Sequence, residues 1–164
     1  MAVKAKASQR GGVIGSTGII DVDACSNALK RQTHIEWTAP ALTQNTTTIS
    51  DSVPIAAANG ITPVAAYVVW TTVPAAAGAT ATITIRKRAT DGTTLTDIFS
   101  GTSVLGLTSR VAVSLGSPAA GVTVAQGETI EVALICSNNA VSQAGAGGQI
   151  RMIASPIDAT VVDQ

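Results

Sequence analysis

The sequence predicts an all-β protein: an antiparallel β-sandwich, jelly-roll-like, with an extended N-terminal arm. Three observations carry that expectation. Thr alone, at 22 residues, outnumbers Asp, Glu, Lys and Arg together at 20, and Thr, Val and Ile are stiff at χ1 and suit a pleated surface. Segments that alternate apolar and polar residues recur every ~8–20 residues between Gly, Pro and Asn turn signals. Almost no stretch repeats its apolar residues at the helical spacing.

The elements follow in order. Residues 1–18 form the arm. Lys4, Lys6 and Arg10 give it positive charge, and Gly11, Gly12, Gly15 and Gly18 argue against a regular element there. Fully extended, it would reach about 60 Å. Asp23 is placed to cap a short helix over 24–30, with Lys30 and Arg31 at its C-terminal end, where cations are favoured. Residues 33–38 alternate as a strand, His34, Glu36 and Thr38 on one face, Ile35 and Trp37 on the other. Short strands are expected over 46–50 and 52–56, where Pro54 confines the second to an edge or a strand start. Asn59-Gly60 reads as a tight turn.

Residues 64–99 are the centre of the expected fold. Residues 64–73 look apolar on both faces, as an interior strand covered on both sides would be. Residues 74–78 read as a loop. Residues 80–89 then alternate, with Ile83 and Ile85 toward the core and Thr82, Thr84, Arg86 and Arg88 outward. Asp91-Gly92 fits a two-residue type I′ turn into a return strand over 93–99. A loop over 101–109 leads to a strand over 110–115 with Val111, Val113 and Leu115 inward. Gln126-Gly127 turns the chain into a strand over 128–137 that points Ile130, Val132, Leu134 and Cys136 inward. A Gly/Ala loop over 138–148 precedes the last strand, over 149–154, and a short apolar tail with Val161 and Val162 follows. At 164 residues the expected division is the arm over 1–18 and a single sandwich domain over 19–164.

Composition and motifs narrow the function classes. The formal net charge is zero, which argues against a basic nucleic-acid binder. Only 12% of residues are charged, a surface suited to a protein held in an assembly. The N-terminus lacks the apolar core of a secretory signal, and no apolar run is long enough to span a membrane, so synthesis in a cytoplasm is expected. Cys25 and Cys136 stand far apart without a CxxC or a second His beside His34, so they read as two separate buried thiols and no zinc site is expected. Asp21, Asp23, Asp158 and Asp163 do not form a dense Ca²⁺ loop. Residues 11–18 lack the Gly-Lys-Ser/Thr ending of a phosphate loop. Asn45-Thr46-Thr47 matches a glycosylation sequon but reads as a polar strand entry. His34 and Glu36 share a strand face, but no nucleophile elbow accompanies them, and no catalytic residue, cofactor or metal ligand is assigned. Arg86, Lys87 and Arg88 are the one dense basic cluster of the body, either paired with Asp91 or Asp97 at a solvated strand end or facing an acidic neighbour.

A basic, Gly-rich arm ahead of a small Ala/Thr/Val-rich sandwich, with the late strand Gly127-Glu128-Thr129-Ile130-Glu131-Val132-Ala133-Leu134 after a Gly turn, resembles the head decoration (cement) and related minor structural proteins of tailed bacteriophages. The resemblance implies a sandwich on the outside of the capsid, often trimeric, with a terminal arm reaching across capsomers. It implies no enzymatic activity and no cofactor. The expected partners are the major capsid protein and copies of the chain itself, with no membrane and no specific nucleic acid. The expected location is the capsid surface of a virion. Lys4, Lys6, Arg10, Arg86, Lys87, Arg88, Val161 and Val162 are the candidate partner-binding residues. The alternative is the receptor- or carbohydrate-binding head of a fibre, a reading that gains if Trp37 and Tyr67 are exposed together in a groove.

Overall fold

The computed structural model describes residues 13–14, 20–21, 33–76, 80–137 and 141–157. The chain divides into two compact units, Met1–Thr33 and His34–Gln164. In the first, β1 (Val13–Ile14) pairs antiparallel with β2 (Ile20–Asp21), Val13 opposite Asp21 and Ile14 opposite Ile20. The Gly-rich stretch therefore does hold a regular element, where β-branched residues interrupt the glycines. The rest of the arm, the expected helix over 24–30 and Cys25 lie outside the described residues.

The remaining strands are β3 (Thr33–Thr38), β4 (Thr47–Ile49), β5 (Val53–Pro54), β6 (Ile61–Val69), β7 (Ala75–Ala76), β8 (Thr80–Arg88), β9 (Leu95–Ser103), β10 (Val113–Ser114), β11 (Thr129–Ser137), β12 (Val141–Gln143) and β13 (Gln149–Pro156). No helix occurs among the described residues. One sheet runs β10-β6-β13-β3; the other runs β4-β11-β8-β9, with β5 also on β11. Let β4 and β5 count as one interrupted strand, and set aside the short β7–β12 ribbon. The sandwich strands then pair first with eighth, second with seventh, third with sixth and fourth with fifth. That nesting is one long antiparallel hairpin wrapped into two sheets, the jelly-roll arrangement. The fold class expected from the sequence is the one observed.

The sheets pack face to face through a single apolar core. Ile35, Trp37, Ala66, Val68, Ile150 and Met152 come from one sheet, and Ile83, Ile85, Phe99, Ile130, Val132 and Leu134 from the other, all buried. Each fully buried Ile contributes about 2 kcal/mol of transfer free energy. The expected inward residues of β11 and β8 are confirmed. Glu131, Ala133 and Thr84 alternate with them on the opposite face and are nevertheless buried. Cys136 is a buried free thiol. Pro54 sits on the edge strand β5, where a missing N–H costs nothing in the ladder.

Several expectations need correction. The central strand is not covered on both sides. β6 alternates, with Ala66 and Val68 buried and Val64 and Tyr67 exposed. The antiparallel sheet has one solvated face, although β6 is interior within it. Opposite β13, the register slips so that Ile153 faces Ala65 and Ala154 faces Pro63, leaving Val64 as the extra residue of a bulge. The bulge turns Val64 out of the line of Ala66 and Val68. The β8–β9 connection is not a two-residue type I′ turn. Arg88 pairs with Leu95, Ala89 N–H donates to Thr94 O, and Gly92 N–H donates to Ala89 O, so four residues form the loop. Gly92 takes φ 73°, while Asp91 accepts from the N–H groups of Thr93 and Thr94 and from the Thr94 hydroxyl. The Thr94 hydroxyl first, then those N–H groups, hold the Asp91 carboxyl well below the usual range.

The return strand begins at Leu95 and continues to Ser103. The strand expected over 110–115 shrinks to β10, because Arg110 adopts φ 61° and Val111 is exposed. The two Ala/Gly loops, over 74–78 and 138–148, are joined through β7 and β12.

Candidate binding groove

The solvated face of the β10-β6-β13-β3 sheet holds a groove of about 570 Å³. That volume falls within the range of small-ligand sites. Period-two alternation places its walls: residues whose neighbours enter the core point the other way. From β3 come His34, Glu36 and Thr38, between the buried Ile35 and Trp37. From β13 come Gln149, Arg151 and Ile153, and from β6 come Tyr67 and Val69. Ala112, just before β10, completes the apolar side. The ladders fix the cross-strand order. Arg151 lies opposite Tyr67, Gln149 opposite Val69, and Tyr67 opposite Ser114 on its other side. Arg151 Nη2 also reaches Glu36 Oε1 at 2.5 Å, with both side chains more than half exposed. One row therefore crosses four strands as Glu36, Arg151, Tyr67 and Ser114.

Tyr67 is the one exposed aromatic of the chain: Trp37, Trp70 and Phe99 are buried. The condition of Trp37 and Tyr67 exposed side by side is met by Tyr67 alone. Trp37 turns inward and its Nε1–H donates to Asp51 O at 3.1 Å. No Ser or Cys lines the groove among the described residues, and no three His, Cys, Asp or Glu side chains converge as metal ligands among them.

The basic cluster lies in the other sheet. β8 pairs with β11 so that Arg86 faces Glu131 and Arg88 faces Thr129. Arg86 Nε donates to Glu131 Oε1 at 2.7 Å; Arg88 Nη2 donates to both carboxylate oxygens at 3.0 Å. The Ser52 hydroxyl adds a bond to Oε2, and Arg88 Nη1 also reaches Gly92 O. Burial pushes the Glu131 carboxyl up, but the hydrogen bonds and charges of Arg86 and Arg88 outweigh it and hold it below its ordinary value. Lys87 Nζ donates to both oxygens of Glu128, whose Oε2 also accepts from Ala125 N–H and so fixes the turn before β11. Glu131 and Glu128, not the expected Asp91 and Asp97, are the partners of the cluster.

Lys4, Lys6, Arg10, Val161 and Val162 lie outside the described residues. The groove was missed in the sequence because its walls come from segments some 115 residues apart, Glu36 and Arg151. The one local signal was the alternation that put His34 and Glu36 on one face. No family model, no curated protein and no solved structure matches the chain.

Proposed function

We propose that the protein is a virion structural protein, a capsid decoration (cement) protein that binds an assembled capsid and bridges neighbouring subunits. One observation supports this most. Ion pairs within the sandwich take up Arg86, Lys87, Arg88, Arg151, Glu36, Glu128 and Glu131, while Ile49, Val64, Tyr67, Leu95 and Val111 stay exposed. A surface on which these charges pair with one another while large apolar side chains stay open is suited to burial against neighbours. Each such side chain is already about half covered, so burying the rest contributes about 1 kcal/mol. Many weak contacts repeated over a capsid add through multivalency.

The partners on this reading are the major capsid protein and further copies of the chain, in a trimer on the capsid surface. Lys4, Lys6 and Arg10 of the arm and Val161 and Val162 of the tail are its grips. The experiment is co-sedimentation of the purified protein with expanded, DNA-free heads of the encoding phage, beside a form lacking residues 1–18. Saturable association of the full chain, weakened in the shortened form, is expected. No association with heads overturns the reading, and equal binding by the shortened form removes the arm from it.

A further inference from the structure

We propose that the groove on the β10-β6-β13-β3 sheet is a binding site for a neutral saccharide. Three features of the groove match that chemistry. Tyr67 presents the chain's one exposed aromatic ring, 40% accessible, on a sheet face. A sugar ring offers a flat array of C–H groups that an aromatic face accepts at the cost of little ordering. Beside it stand a donor fork and an acceptor, Arg151 and Glu36, already paired and both open to solvent. Vicinal hydroxyls act as donor and acceptor at once, so one accepts from the guanidinium while its neighbour donates to the carboxylate. Gln149, in register with Val69 two pairs along the ladder and so on the same face, extends the polar edge, and Val69 and Ile153 extend the apolar floor.

Charge decides between ligand classes. The Arg151–Glu36 pair is neutral as a unit, and its carboxylate disfavours a phosphate or a sugar acid beside Arg151. A purely apolar ligand would desolvate both ions with only their mutual pairing to offset it, leaving their remaining donors and acceptors unsatisfied. A polyhydroxylated neutral ring satisfies both requirements. The inference shares Tyr67 with the capsid reading but is tested apart from it, because head association and sugar binding are measured separately.

The test uses the full chain, labelled with ¹⁵N, titrated with cellohexaose, maltohexaose, mannohexaose and chitohexaose, with trigalacturonic acid as the charged arm. Shifts confined to amides of β6, β13 and β3 with at least one neutral oligosaccharide are expected. Tyr67→Ala is expected to weaken that binding about tenfold, and Tyr67→Phe, which keeps the ring, to restore it. Arg151→Met is expected to weaken it further than Leu95→Ser, a change on the other sheet. Thermal unfolding of each variant separates lost binding from lost fold. Absence of binding by all four neutral sugars overturns the proposal, as does binding that survives Tyr67→Ala or is confined to trigalacturonic acid.

Discussion

Arg86 stands directly opposite Glu131 on the β8–β11 ladder and donates from Nε to Oε1 at 2.7 Å, while Glu131 itself is almost wholly buried. Arg88 completes a two-guanidinium clamp on the same carboxylate. Removing the anion alone leaves two partly desolvated cations facing each other. Glu131→Gln is therefore expected to lower stability by about 3 kcal/mol. Urea unfolding monitored by the two buried Trp residues checks it, through a fall in midpoint at unchanged slope.

The same carboxylate sets an acid limit. Its folded pKa lies below the ordinary 4.5, so the unfolded chain takes up the proton first as pH falls. The contribution is whole above 4.5 and is lost as pH drops through the lower folded value. Unfolding free energy measured by urea at a series of pH values is expected to decline below that point. Glu131→Gln is expected to show a shallower decline over the same window.

Strands with regular alternation were legible in the sequence: β3, β8, β11 and β13 lie within a few residues of their expected spans. Features that depend on pairing between distant segments were not. The partners of Arg86 and Lys87 follow from the β8–β11 register, which no local pattern encodes. Simple alternation places Val64 in line with Ala66 and Val68, and nothing in the local sequence marks the bulge that turns it out. The Ala75–Ala76 and Val141–Gln143 ribbon lacks alternation and read as loop. The groove needed the sheet order, which brings together β3 and β13, the first and last strands of the sandwich.

One-sided burial of β6 separates two neighbouring valines. Val64→Lys, at an exposed bulge position, is expected to change stability by less than about 0.5 kcal/mol. Val68→Lys places an unpaired ammonium in the core and is expected to cost about 4 kcal/mol or more. Thermal unfolding of the two variants checks it. Equal damage from both would restore a strand covered on two faces.

Two turn glycines differ in the same way. Gly60 has φ 80°, and a Cβ there would lie 2.2 Å from Val124 O in the backbone. Gly92 has φ 73° with open space around it. Gly92→Ala is expected to cost about 1 kcal/mol from the left-handed conformation alone. Gly60→Ala adds a backbone clash and is expected to cost at least twice as much. Guanidinium unfolding of the pair measures the difference.

Capsid stabilisation is tested most directly by the temperature at which expanded heads rupture, followed by light scattering, with and without saturating protein. A ligand bound only to the intact form adds about 2.7 kcal/mol per site at a hundredfold excess over its dissociation constant. A rise in rupture temperature that saturates with bound protein is expected. An unchanged rupture temperature on fully occupied heads overturns capsid stabilisation.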